Sequence, residues 1–119
     1  MIKKYIDDFV LLTAPGIELD ALCLERLITA IKQLQLDSVC PLHPVYHRKR
    51  GIFESNRLYR YRTLNVELHA YCLLIRAEVW DKLPTLELHN SRWLEGYRTY
   101  LVGNQLQHGL VCNALIYEV

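Results

Sequence analysis

With 119 residues the chain has room for one domain around one core, and a hydrophobic fraction of 51% against 23% charged residues excludes a disordered or fibrous class. No run approaches the roughly 18 apolar residues of a membrane-spanning helix, and a net charge of +1 is far from the strongly basic footprint of a dedicated nucleic-acid-binding domain. The cations are unevenly spread: Arg48, Lys49, Arg50, Arg57, Arg60 and Arg62 face one acid, Glu54, so the stretch 48–62 carries +5 and leaves −4 on the rest of the chain.

In chain order, Phe9-Val10-Leu11-Leu12 is a continuous apolar run between Asp7-Asp8 and Ala14-Pro15-Gly16. It reads as a strand buried on both faces, as central parallel strands are. Asp20 is a candidate N-cap for a helix that puts Leu24, Leu27, Ile28, Ile31 and Leu34 on one face. Ser38-Val39-Cys40, ended by Pro41, is a second strand. Strand, helix and strand within about 35 residues predict a right-handed βαβ crossover between parallel strands. From Leu42 to Ser55 prolines, histidines and basic residues predict a long surface loop, and Leu58-Tyr59-Arg60-Tyr61-Arg62 alternates weakly, as an edge strand does. Ala70 to Ile75 is a third strand, and Ala77 to Leu83 a short helix stopped by Pro84. Ser91 is a candidate cap for a helix running to about Gln107 along Leu94, Tyr97, Leu101 and Leu106, weakened at Gly103 and ended by Gly109. Leu110 to Tyr117 is the last strand. The expected fold is a single α/β domain over residues 1–119, with a mostly parallel or mixed sheet and flanking helices.

Cys23, Cys40, Cys72 and Cys112 each sit inside an apolar run with no short pairing motif. They read as buried thiols in a reducing compartment. With no signal-length apolar stretch before Asp7-Asp8, the expected location is cytoplasmic.

Three stretches carry a family resemblance. Asp8 to Leu12 with Pro15-Gly16-Ile17-Glu18-Leu19 and Leu24-Glu25-Arg26-Leu27, then Cys72 to Leu83 through Arg76, then Trp93-Leu94-Glu95-Gly96 with Gln107-His108-Gly109-Leu110, together resemble the later part of a family 2 glycosyltransferase domain of the GT-A type. The resemblance implies a nucleotide-sugar donor, a divalent metal held by carboxylates at the end of the central strand, and a carboxylate base. Carried over residue by residue, it assigns Glu18 to the metal and Glu95 to the base, while Gly96 replaces the second acid of that pair. The nucleotide-binding half, which the family places ahead of Asp8, has no counterpart. The expected function is therefore binding or assembly by a glycosyltransferase-like domain with an incomplete donor and metal site and no cofactor of its own. The alternative is a transferase component that needs another chain and a divalent metal. A half-sheet would also leave an edge and an apolar face uncovered, which points to a homodimer or another protein partner.

Two further constellations stand beside the resemblance. Cys40-x-x-His43-x-x-x-His47 has zinc-ligand spacings but lacks a fourth ligand in the segment, which His69 or Cys72 would have to supply through folding; solvated loop histidines and a buried strand cysteine explain the same residues. Arg48, Lys49, Arg50, Arg57, Arg60 and Arg62, with Tyr59 and Tyr61 between them, could hold phosphates while the rings stack on bases. The overall charge favours a solvated basic loop over a nucleic-acid partner. Trp80 and Trp93 read as core or interface anchors, and no serine sits in a nucleophile-elbow setting.

Overall fold

A computed structural model describes residues 1–61, 65–84, 86–90 and 92–119; Arg62 and Ser91 lie outside the described residues. The elements are β1 (Ile2–Ile6), β2 (Phe9–Thr13), β3 (Ile17–Leu19), α1 (Cys23–Gln33), β4 (Ser38–Leu42), α2 (Pro44–Arg48), β5 (Leu58–Arg60), β6 (Cys72–Arg76), α3 (Ala77–Lys82), α4 (Trp93–Gly103) and β7 (His108–Glu118), with a 3₁₀ turn at Asn65–Glu67. They form a mixed α/β fold whose sheet runs β1-β2-β6-β4-β7-β3, with β5 also pairing β7. No helix among the described residues is long and apolar enough to cross a membrane.

Of the two expected forms, mostly parallel or mixed, the sheet is mixed, and it is mainly antiparallel. Among the described residues the parallel pair is β4 with β7, while β1–β2, β2–β6, β4–β6, β3–β7 and β5–β7 are antiparallel. The expected crossover is present in direction only. Strands β2 and β4 run the same way, but β6 lies between them, antiparallel to both. Two strand spacings are about 10 Å, close to the width of the helix that bridges them, so α1 spans a slot that β6 fills later in the chain.

Both faces of the central strands are buried. Phe9, Leu11 and Leu74 point to the side where α1 packs with Leu27 and Ile31, and Val10, Leu12, Leu73 and Ile75 point to the side covered by Val79 of α3 and Trp93, Tyr97 and Leu101 of α4. Period-two alternation thus sends every second side chain into one of two cores.

Strand β1 is absent from the sequence reading. Ile2-Lys3-Lys4-Tyr5 has no period-two pattern, because these residues are exposed on both faces. Asp7-Asp8 is a two-residue hairpin turn between the partners Ile6 and Phe9, with Asp7 at φ 50°, a conformation that short polar side chains tolerate. Helix α2 replaces the start of the expected loop; Pro44 occupies its first turn and the His43 ring caps it. Asp20 does not cap α1 with its side chain: the helix begins at Cys23, whose N–H donates to the Asp20 carbonyl.

Helices α1 and α4 end alike. Gln35 and Gln105 adopt left-handed φ of 51° and 54°. The next residues, Leu36 and Leu106, then donate their N–H groups to Ile31 O and Leu101 O, the long bond of a Schellman motif. The helix expected to reach Gln107 therefore stops at Gly103. Gly109 lies inside β7, where a Cβ would come within 3.0 Å of Leu58 Cδ2. On α1 the end is further closed by Arg76, which donates to Leu36 O (2.7 Å) and Ile31 O (2.9 Å).

Because glutamine is strained where glycine is not, Gln35→Gly and Gln105→Gly should each stabilise the domain by about 0.5–1 kcal/mol. Urea denaturation midpoints read the change, and a lower midpoint in both variants would contradict the assigned caps.

Candidate functional site

Polar chemistry collects at the end of the sheet where β4 finishes and β6 begins. The α2 turn brings His43, Tyr46 and His47 there, and the approach to β6 brings His69 and Tyr71. Their rings pack together, with centroids from 4.5 Å (His43–Tyr71) to 6.3 Å (His43–Tyr46) apart. The turn after β2 joins them, since Ala14 N–H donates to Tyr71 O at 2.9 Å. His43, His47 and His69 are buried, as is His108 at the start of β7. The expectation of solvated loop histidines fails because α2 folds its polar residues against the sheet.

Hydrogen-bond partners assign one tautomer to all four rings. Nε2 of His47 faces Val66 O (3.0 Å), that of His69 faces Pro41 O (2.7 Å), that of His108 faces Glu67 O (2.6 Å), and that of His43 faces Glu118 Oε1 (2.8 Å). An oxygen acceptor requires N–H at each Nε2. The Nδ1 atoms then accept, from Tyr46 N–H into His43, His43 N–H into His47, Tyr71 N–H into His69 and the Ser38 hydroxyl into His108. Burial lowers the pKa of His47, pushes His69 down to about 3 and His108 to about 4.

At His108 the bonds continue as a directed chain. The Tyr97 hydroxyl donates to Ser38 Oγ (2.6 Å), Ser38 donates to His108 Nδ1 (2.7 Å), and His108 donates to Glu67 O. Ser38 and His108 are register partners in the parallel β4–β7 pair, so the chain ties α4, β4, β7 and the 3₁₀ turn together. Nearby, the Glu67 side chain is buried, its Oε2 has no partner among the described residues, and burial raises its pKa.

The candidate zinc ligands do not assemble. Cys40 Sγ lies in the core, 4.0 Å from His69 O, with its thiol pushed up to about 12 by burial. His43 and His47 have both nitrogens engaged, and no three His, Cys, Asp or Glu side chains gather in metal-binding fashion among the described residues. Nor do the residues fit the metal that the family resemblance implies: the turn after β2 offers Glu18 alone, exposed on β3 opposite Tyr117. Glu95 is exposed in the first turn of α4, 3.4 Å from Arg98.

The basic residues are dispersed. Arg48, Lys49 and Arg50 are exposed beyond α2, where the Arg50 guanidinium stacks 3.7 Å from the Tyr46 ring centre and donates to Tyr46 O. Arg60 lies at the other end of β7, paired with Gly109 and donating to Gln107 Oε1, with Arg57 just before β5. Tyr59 and Tyr61 pack toward the core instead of standing between arginines.

Two cavities border these groups. A small apolar one of about 200 Å³ lies beside His43, Val45 and Tyr117. A larger groove of about 420 Å³ runs between α1 and β5, lined in part by Arg26, Arg57, Leu58 and Asn113. The sequence marked one wall of that groove, at Arg57 and Leu58, and not the other, which comes from a segment that looks like an ordinary helix. Compared with protein-family models, with curated proteins and with solved structures, the chain matches none.

Two predictions follow from the buried network. Above pH 6.5 folded and unfolded chains alike keep His69 and His108 mostly neutral. As pH falls from 6.5 toward 4 the unfolded chain takes up protons that folded His69 and His108 refuse, so stability is lost in that window by about 1.4 kcal/mol per pH unit per histidine; thermal melts between pH 7.5 and 4 should show a steep fall, and a flat profile would contradict the buried neutral rings. Ser38→Ala strands Tyr97 O–H and His108 Nδ1 and should cost about 1–3 kcal/mol, with part recovered when Tyr97→Phe is added.

Proposed function

We propose that this chain is a glycosyltransferase-like α/β domain that acts by binding or assembly, without a complete donor and metal site of its own. One observation carries the reading. The turn that follows β2, where the family's metal carboxylates would stand, is Ala14-Pro15-Gly16, tied through Ala14 N–H to the carbonyl of Tyr71, whose ring packs against His43 and His69, imidazoles with their nitrogens already engaged. A general base must have a free lone pair within reach of the proton it takes; His43, His47, His69 and His108 have spent theirs. Glu18 and Glu95 share no hydrogen bond or ion pair among the described residues, and neither lines the cavities beside α1, Arg76, Trp80 or His43.

What supports the family likeness is contiguity. Its three stretches fall on β2-β3-α1, β6-α3 and α4-β7, and β2, β6, β4 and β7 are successive neighbours in one sheet. The edge that a half-sheet would leave at β2 is covered by β1, which presents Ile2 and Tyr5, both 59% exposed, on a strand whose outer edge is unpaired among the described residues. That edge is where a second copy would add, and the assembly we propose is a homodimer.

A thermal-shift screen with nucleoside diphosphates and nucleotide sugars, with and without manganese, should be flat. A ligand at a hundred times its dissociation constant would add about 2.7 kcal/mol and several degrees; a manganese-dependent rise of that size would replace this reading with that of a transferase component. For the homodimer, sedimentation at micromolar concentration should give the mass of two chains, and the mass of one chain overturns it.

A further inference from the structure

On the opposite flank from β1, the sheet offers a second edge, unpaired among the described residues, with a groove beside it. Cys112 N–H donates to Arg57 O and Tyr61 N–H to His108 O. In an antiparallel ladder the bonded residues alternate, so with the register Leu58–Val111, Tyr59–Leu110 and Arg60–Gly109 the bonds to β7 come from Arg57, Tyr59 and Tyr61. The N–H and C=O groups of Leu58 and Arg60 therefore point away from the sheet. Leu58 borders the groove of about 420 Å³, whose apolar lining includes Leu58, Val111, Ala30 and Leu34, and Arg60 lies just beyond it along β5.

The charge around this edge has one dominant sign. Arg26 and Arg57 line the groove against Glu25, and Arg60 lies two residues along β5 from Leu58, on the same face. Arg57 and Arg60 are exposed, and Arg26 is held in place by a 2.7 Å bond from Nη1 to Asn113 O. The free edge calls for a main-chain partner, the floor for an apolar side chain, and the arginines for carboxylates on either side of it.

We infer that β5 and the α1 groove form a docking site for an extended acidic peptide segment of a partner protein, which adds to the sheet as a strand beside β5. Its alternate residues face the groove as acid, aliphatic, acid; the aliphatic one covers Leu58 and Val111, and the acids meet Arg26 and Arg60. This site is independent of the glycosyltransferase likeness and of the β1 edge, so neither failure would touch it.

The test uses the full chain and a fluorescein-labelled Glu-Thr-Val-Thr-Glu-Thr peptide, read by anisotropy. Binding with a dissociation constant of roughly 10–100 µM is expected. A peptide with Lys in place of Glu should bind at least tenfold more weakly, as should one N-methylated at the valine and glutamate amides. Arg60→Glu should weaken binding about five- to tenfold while leaving the melting temperature unchanged. Undiminished binding of the N-methylated peptide overturns strand addition. Absence of binding up to about 1 mM, or displacement of the peptide by oligo-dT at equal strength, overturns the peptide site; the latter would assign the groove to phosphate chains.

Discussion

The structure depends on burying the central sheet on both faces. Strands β2, β6, β4 and the first half of β7 have water on neither side, because α1 covers one face and α3 with α4 covers the other. Burial of this kind stabilises through apolar area, and it places a strict condition on whatever else enters the layers: each polar group must find a partner there. The segment 65–71 meets that condition in part and without regular pairing, Glu67 Oε2 being left without a partner among the described residues. Its carbonyls at Val66 and Glu67 are met by imidazole N–H groups from His47 and His108, and His69 in turn serves the Pro41 carbonyl. The histidines are structural donors, and their neutrality is a consequence of where the helices sit.

That same double burial explains which parts of the fold were legible. The run Phe9–Leu12 and the stretch Cys72–Ile75 announced strands, and the apolar face of Leu24, Leu27 and Ile31 announced α1. Strand direction was not legible, because a continuous apolar run reports burial on two faces, and an antiparallel strand enclosed by two helical layers produces the same run as a parallel one. Strand β1 escaped for the opposite reason: exposed on both faces, it has no pattern to read. The helix ends escaped because a glutamine stands where glycine is usual, so Gly103 and Gly109 drew attention that belonged to Gln35 and Gln105.

The candidate site was partly legible. His43 and His47 were marked by spacing, but their partners His69, Tyr71 and Val66 come from a segment more than 15 residues away, and only the fold brings them together. Glu18 and Glu95 were marked by resemblance alone. The α1 groove was marked on one wall only, by the edge strand at Leu58 and the basic residues Arg57 and Arg60, since an edge strand and a helix flank carry no shared pattern. The two functional readings share one physical theme. With its buried imidazoles engaged, the chain offers hydrogen-bonding capacity at strand edges, and edges recognise backbone.

The slot bridged by α1 has a consequence for the order of events in folding. A chain synthesised from its N-terminus exposes β2, α1 and β4 while the position between the two strands is still vacant, and α1 then has β4 but not yet β7 to pack on. The sheet cannot close until residues 72–76 arrive, and β4 gains its parallel neighbour only with β7 near the C-terminus. Pairings this distant must meet their loop-closure entropy before any contact rewards it. Assembly on the ribosome is therefore deferred for most of translation, and the nascent first half, rich in uncovered aliphatic side chains, is the species a chaperone would have to shelter.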